Sequence, residues 1–308
     1  MPEIVFCLMG PTASGKTDLA CEMASSFPFE MISVDSALIY REMNIGTAKP
    51  TADVLRHFPH HLIDIRSPIE IYSAAEFCDD VDRLIQDIKT RGRIPLLVGG
   101  TMMYFRALQE GLNQLPPANL TLRQQLKDEE TLRGLQGMHV WLTAVDPLSA
   151  KRIHPHDKQR ITRALEVYLL TGRPFSHYLE EQTPCGDLRF INIGLFPQDR
   201  TWLHQRISER FHGMLTLGFL HEVEHLIAHW PLTRSMPSMR CVGYKQALDY
   251  LEGMIDYTTF IAQGVAATRQ LAKRQLTWLR SWQDITLVEP NDLNVVKRLR
   301  CHFEKHMS

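Results

Sequence analysis

Residues 10–17 read Gly10-Pro11-Thr12-Ala13-Ser14-Gly15-Lys16-Thr17, directly after the apolar run Ile4-Val5-Phe6-Cys7-Leu8-Met9 and before the helix-forming stretch Asp18 to Met23. A strand that enters a Gly-rich turn and leaves as a helix aims successive backbone N–H groups at one point. The positive end of the helix dipole attracts an anion to the same point. Lys16 adds a point charge, and the Thr17 hydroxyl is suited to ligate a magnesium ion bridging two phosphates. The stretch predicts a phosphate-binding loop for a diphosphate-bearing ligand, with Mg2+ as cofactor. It leaves open whether that ligand is ATP.

Working outward, β-rich runs alternate with helical patterns through the first hundred residues: Ile4 to Met9, Met31 to Val34, Leu62 to Ile65 and Ile94 to Val98. Such alternation predicts an α/β fold with a P-loop NTPase-like parallel sheet, whose ligands collect at the carboxyl ends of the strands. Two of those ends carry reactive groups, Asp35-Ser36 after Val34 and Gly99-Gly100-Thr101 after Val98. The last run lacks the terminal aspartate that holds magnesium in ordinary ATPases with this loop.

A Pro-rich connection, Asn113 to Leu120, opens a segment that is helical in pattern to about Glu181, with Val140 to Val145 as its one longer β-rich run. Gly172-Arg173-Pro174 marks a helix stop. We therefore expect a core of residues 1–112 and 187–308 and a helical insertion of residues 113–186. Arg189 to Leu195 reads as a returning strand, and Trp202 to Trp230 and Thr258 to Trp282 as long helices packed on the sheet.

Composition narrows the partners. The 308 residues are 44% hydrophobic and 22% charged with a formal net charge of −1, so any polynucleotide must be met by local basic surface. Six cysteines, Cys7, Cys21, Cys78, Cys185, Cys241 and Cys301, form no Cys-x-x-Cys pair. A reducing cytoplasm and a monomer are expected. The first apolar run has no basic region ahead of it and leads into the phosphate loop, which suits a strand rather than a signal peptide.

Basic residues do gather locally. Arg269, Lys273 and Arg280 fall within roughly 40° of one another on a helix, a cationic stripe. Lys158, Arg160 and Arg163 lie off the apolar face of the helix that Asp157 caps, although a charge run often means only a solvated face. Met239-Arg240-Cys241-Val242-Gly243-Tyr244-Lys245 adds a basic cluster with an interleaved aromatic. Separate basic patches on a neutral protein suit phosphate contacts to a structured polynucleotide. Arg206 and Arg210, one turn apart, are placed to reach an anion together or to sit in solvent.

Two further patterns are weaker. His221-Glu222-Val223-Glu224-His225 matches the H-E-x-x-H zinc pattern, but no third ligand is evident, and the polar face of an amphipathic helix explains it equally well. His60-His61 with Asp64 offers a second metal-ligand cluster, for which an exposed loop entering the Leu62 to Ile65 strand is the better account. Asp35 would be an ordinary turn residue elsewhere. Beside a phosphate loop and Thr101 it stands where a base belongs.

The phosphate loop, Ser33-Val34-Asp35-Ser36-Ala37-Leu38-Ile39-Tyr40, Gly46-Thr47-Ala48-Lys49-Pro50, Val98-Gly99-Gly100-Thr101, Gln159-Arg160-Ile161-Thr162-Arg163 and Ala272-Lys273-Arg274-Gln275-Leu276-Thr277-Trp278 together resemble the tRNA dimethylallyltransferase family over nearly the whole chain. The resemblance implies that residues 10–17 hold the diphosphate of dimethylallyl diphosphate, and that the acceptor is N6 of adenosine 37 in the anticodon loop of tRNA. It implies Asp35 as base, Thr101 on the channel where adenine meets the allyl group, and Lys16, Arg210 and Mg2+ near Thr17 around the departing pyrophosphate. It further implies tRNA contacts at Asp35, Ser36, Ala37, Leu38, Thr101 and Arg123, at Gln159, Arg160, Ile161, Thr162 and Arg163, and at Arg240, Cys241, Val242, Gly243, Tyr244 and Lys245. The helical insertion would clasp the anticodon stem-loop. The rivals are a small-metabolite kinase on the loop alone, a zinc hydrolase through His221 and His225, and an RNA-binding module with a vestigial nucleotide site.

Overall fold

A computed structural model of the chain describes residues 3–113, 115–179, 182–183 and 188–307. The first strand, β1 (Glu3–Met9), is followed by α1 (Lys16–Ser26), β2 (Phe29–Val34), α2 (Ala52–His57), β3 (His60–His61), α3 (Ala74–Thr90), β4 (Ile94–Gly99) and α4 (Met102–Glu110). A short strand β5 (Leu112–Asn113) then leads to α5 (Leu120–Val145), α6 (Pro147–Arg152), α7 (Lys158–Thr171), α8 (Phe175–Tyr178) and β6 (Gln182–Thr183). The chain closes with β7 (Leu188–Leu195), α9 (Arg200–Thr216), α10 (Phe219–His229), α11 (Tyr244–Leu251), α12 (Tyr257–Ser281), β8 (Ile285–Val288) and α13 (Val295–Met307).

Contacts divide the chain into Met1–Ala107 with Gly186–Ser308, and Leu108–Cys185. The boundary expected at 186/187, like Cys185, lies outside the described residues. In the first unit six strands run in the order β3-β2-β4-β1-β7-β8, and every pairing is parallel. β1 and β4 are buried along nearly their whole length, which is why both read as unbroken apolar runs. The register places Met9 of β1 and Val34 of β2 on either side of Gly99 of β4, so three strand ends finish in one row.

One face of this sheet is closed by α1 and by α13, which the sequence reading did not name. Phe303 of α13 meets Phe6 and Phe29 edge-on at 5.1 and 4.9 Å, and Phe6 meets Phe29 at 5.4 Å. All three rings are buried, with Val295 and Leu299 alongside. Edge-to-face pairs at these distances add to the large area each ring buries.

The second unit is a small helical body. Leu126, Met138 and Leu142 of α5 pack with Ala150, Ile153, Ile161, Ala164 and Leu165. At its centre Glu166, 0% exposed, accepts bonds from Asn119 N (2.9 Å), Arg123 Nε (2.9 Å) and Arg163 Nη1 (2.6 Å). A buried carboxylate is tolerable because its charge is matched and its lone pairs are filled.

Three sequence expectations are corrected. The edge strand lies at His60–His61 rather than Leu62 to Ile65, because Leu62 (φ 63°) and Asp64 (φ 57°) turn into the left-handed region and end the ladder. Val140 to Val145 is the end of α5, where helical spacing brings Met138 and Leu142 into the core against its β propensity. The stretch Trp202 to Trp230 is two helices, α9 and α10, broken at Leu217-Gly218, with Gly218 at φ 95°.

Because Phe303 is the ring by which α13 meets Phe6 and Phe29, Phe303→Ala is expected to lower the stability of the sheet unit by about 3–5 kcal/mol, the scale of emptying a Phe site in a packed core. Urea unfolding followed by intrinsic fluorescence checks it.

Candidate active site

The phosphate loop takes its shape from residues that leave their amides pointing inward. Ala13 (φ 63°) and Gly15 (φ 83°) are left-handed, and Gly15 caps α1 without a side-chain bond. Such reversals turn successive N–H groups to one side and make an anion nest. Gly10 N donates to Gly99 O (3.2 Å), which ties the loop to β4, and Lys16 Nζ donates to Pro11 O (3.3 Å), folding its stem over the loop. The Ser14 hydroxyl is buried with no hydrogen-bond partner among the described residues.

Two distant side chains hold the loop in place. Gln275 of α12 accepts from Thr12 N (2.9 Å) and donates to Gly100 O (2.9 Å), joining the phosphate loop to the turn after β4. Arg206 of α9 donates to Ala13 O (2.9 Å) and lies over the Trp202 ring. Neither role was legible from local pattern.

Above the row of strand ends opens a cavity of about 570 Å³ lined by Lys16, Thr17, Asp35, Thr101, Arg210 and Tyr244, among others. Asp35 Oδ1 accepts from Ala37 N (2.8 Å) and Leu38 N (3.3 Å), so the turn that the residue type suggests also fixes the carboxylate at the cavity wall. Thr101 Oγ1 accepts from Ser36 N (3.1 Å), linking the ends of β2 and β4. Arg210 donates to Thr47 O (3.4 Å).

These charges act on one another. Lys16 keeps some solvent-accessible surface as a residue, but protein surrounds its ammonium. Burial therefore lowers it to about 8, with Asp35 opposing and Arg210 reinforcing the fall. Burial also depresses Arg210, again against the pull of Asp35 and with the repulsion of Arg206. Cys241, on the same cavity, is pushed up to about 12 by burial and then by Asp35. Ile207, Phe211, Met214, Phe219 and Leu271 give the cavity an apolar wall.

The residues expected to touch RNA fall in two groups. Asp35, Ser36, Ala37, Leu38, Thr101, Arg240, Cys241, Val242, Gly243 and Tyr244 all line the cavity, and Lys245 is exposed on α11 beside them. Arg123, Gln159, Arg160, Ile161, Thr162 and Arg163 belong to the helical unit. There Gln159 and Arg160 are exposed, Ile161 is a core residue, and Arg123 and Arg163 bind Glu166.

The H-E-x-x-H stretch on α10 is turned to other work. Glu222 accepts from Asn44 N, Ile45 N, Gly46 N and Tyr244 Oη, His221 meets Glu224 at 3.0 Å, and His225 lies against Glu42 at 3.4 Å. No group of three histidine, cysteine or carboxylate side chains among the described residues is arranged to hold a metal. Nor is any helix among them long and apolar enough to cross a membrane.

Known proteins align with this architecture along almost its full length. The family model described as IPP transferase matches residues 38–282. The tRNA dimethylallyltransferase of Legionella pneumophila (strain Paris) is 58% identical over 92% of this chain and 90% of its own. That of Neisseria meningitidis serogroup A (strain Z2491) is 54% identical over 89% and 88%. Among solved structures, the full-length tRNA isopentenylpyrophosphate transferase of Bacillus halodurans superposes with a TM-score of 0.72 at 35% identity, covering 100% of this chain and 96% of that one. A eukaryotic dimethylallyltransferase acting on tRNA superposes at 0.78 with 27% identity, covering 97% and 77%. Identity of this extent favours no kinase, and the chain belongs to the IPP transferase family of tRNA dimethylallyltransferases.

Proposed function

We propose that the protein transfers the dimethylallyl group of dimethylallyl diphosphate to N6 of adenosine 37 in the anticodon loop of tRNA and releases pyrophosphate. One observation carries the reading: a single cavity holds an anion nest with Lys16 and Arg210, a carboxylate at Asp35 and an apolar wall between α9 and α12. A diphosphate, a proton donor and a prenyl chain together ask for that combination.

In the reaction the N6 lone pair forms a bond to C1 of the allyl group while the C1–O bond breaks and its electron pair leaves with pyrophosphate. The amine gives up one proton. Asp35 is the acceptor, since Ala37 N and Leu38 N hold Oδ1 and leave Oδ2 for the proton. Negative charge grows on the bridging oxygen as the bond opens. The loop amides, Lys16 and Arg210 stabilise it without rearranging, which is where fixed dipoles and charges are worth most.

Magnesium fits the donor set. Thr17 lines the cavity and Asp35 faces the same space, beside Thr12, Ala13 and Lys16 of the phosphate loop. Thr17 would hold the ion, which supplies charge neutralisation on the diphosphate. The adenine arrives from a loop, where unstacking costs little, and Thr101 and Arg240 to Tyr244 wall its channel. Gln159, Arg160 and Thr162 of the helical unit supply contacts to the anticodon stem. A monomer working in the cytoplasm completes the reading.

Three outcomes are expected. Labelled dimethylallyl diphosphate incubated with Mg2+ and an anticodon stem-loop containing A36-A37-A38 transfers its label to the RNA, and ATP competes only weakly. Absence of label beside an active control rejects the assignment. Asp35→Ala lowers the single-turnover rate at least about a hundredfold, the usual scale of general-base catalysis. The free enzyme keeps Lys16 charged only below about 8, so Mg2+-supported pyrophosphate affinity falls as pH rises through that value, by up to about tenfold per unit. Lys16→Met removes that segment of the pH profile, and calorimetry across pH 6 to 10 on both proteins, roughly two units either side, reads the difference.

A further inference from the structure

The glutamate of the H-E-x-x-H stretch has a task that none of the chemistry above assigns. Residues 42–49 run as a strap along the cavity, with Gly46, Thr47 and Ala48 on its wall. Glu42 (φ 65°) and Ala48 (φ 51°) near its two ends are left-handed. Non-glycine residues hold that conformation only when their surroundings impose it.

Glu222 is the main constraint. Its Oε2 accepts from Asn44 N (2.8 Å) and Ile45 N (2.6 Å), and its Oε1 from Gly46 N (3.0 Å) and Tyr244 Oη (2.6 Å). Three consecutive N–H groups converge on one carboxylate, an anion nest in which the anion is the protein's own. From within, Lys49, whose side chain is 4% exposed, donates to Tyr40 O (2.8 Å) and Asn44 Oδ1 (2.9 Å) and pairs with Asp64. Gly46 is pressed so close that a Cβ there would lie 2.2 Å from the Phe219 ring and 2.7 Å from the Tyr244 ring. The residue after it, Thr47, offers its carbonyl to Arg210.

We infer that Glu222 is a positioning residue of the diphosphate site. By fixing amides 44–46 it fixes the Thr47 carbonyl, and that carbonyl holds the Arg210 guanidinium toward the phosphate loop against the repulsion of Arg206. The inference rests on the role given to Arg210 above. It explains why a carboxylate stands at position 222, where a mere helix face would accept any polar residue.

A double-mutant cycle tests it, with inorganic pyrophosphate and Mg2+ as the probe in calorimetry and thermal unfolding as the control for folding. Glu222→Gln keeps the shape but turns one acceptor into a donor facing the strap's N–H groups. It is expected to weaken pyrophosphate binding about tenfold, the effect of losing one charge-assisted hydrogen bond. Arg210→Ala weakens binding at least as much, and the double variant no further than Arg210→Ala alone. Losses that multiply in the double variant, or a Glu222→Gln protein that is less stable yet binds normally, overturn the inference and leave the role of Arg210 standing. Unchanged binding by Arg210→Ala overturns both. Should Glu222→Gln fail to fold, Glu222→Asp, which withdraws the charge by one methylene, carries the same cycle with the same criterion.

Discussion

The site depends on how closely β4 approaches β2 at Gly99. A side chain there would put its Cβ 2.0 Å from the Val34 carbonyl oxygen, a distance no packing adjustment relieves. With only hydrogen in that space, Gly100 N and Thr101 N both donate to Val34 O at 3.2 Å, and the chain turns at once into α4. The same strand end receives Gly10 N through Gly99 O. Phosphate loop, Asp35 and Thr101 are thus brought to one place by backbone hydrogen bonds from a single parallel row. Their side chains need only be short. Asp35 and Thr101 reach the cavity because the backbone has already delivered them.

Charge then decides what the cavity accepts. Lys16 and Arg210 are both depressed by burial, and each is pulled back toward its charged form by the same Asp35. Asp35 pulls on both cations and Asp18 adds a lesser pull on Arg210, yet with Arg206 nearby the free site is short of negative charge. A diphosphate bound there would supply it, and the cations would return toward their ordinary proton affinity. In the proposed reaction, protonation of Asp35 would remove its pull on both cations at the moment when negative charge builds on the leaving group. The carboxylate and the two cations share one cavity, whose apolar wall includes Phe211, Met214 and Phe219.

Much of this was legible in the sequence because it is written locally. Eight consecutive residues specify the phosphate loop, and unbroken apolar runs specify buried parallel strands, so β1, β2, β4 and the place of Asp35 followed directly. Errors arose where local preference lost to packing. Val140 to Val145 is β-prone yet helical because Leu142 has a core to fill, and His60–His61 replaces Leu62 to Ile65 because the backbone turns left-handed at Leu62 and Asp64. Position 222 is the instructive case. Its neighbours made a metal motif on paper, but three of its four partners are 176 to 178 residues away and are backbone amides, which have no residue identity to read.

Gln275 shows the same limit from the other side. Its amide lies between Thr12 N, which must meet an acceptor, and Gly100 O, which must meet a donor, so the orientation of the group is forced by its partners. Glutamate would keep the first bond and set a carboxylate oxygen against a carbonyl, and leucine would keep neither. Gly100 has no Cβ, and one would stand 2.4 Å from Gln275 Nε2, so the close approach and the amide require each other. The phosphate loop and the Thr101 turn therefore share one side chain. Neither can shift without disturbing a hydrogen bond of the other, and the two loops are held in register by a residue that belongs to neither.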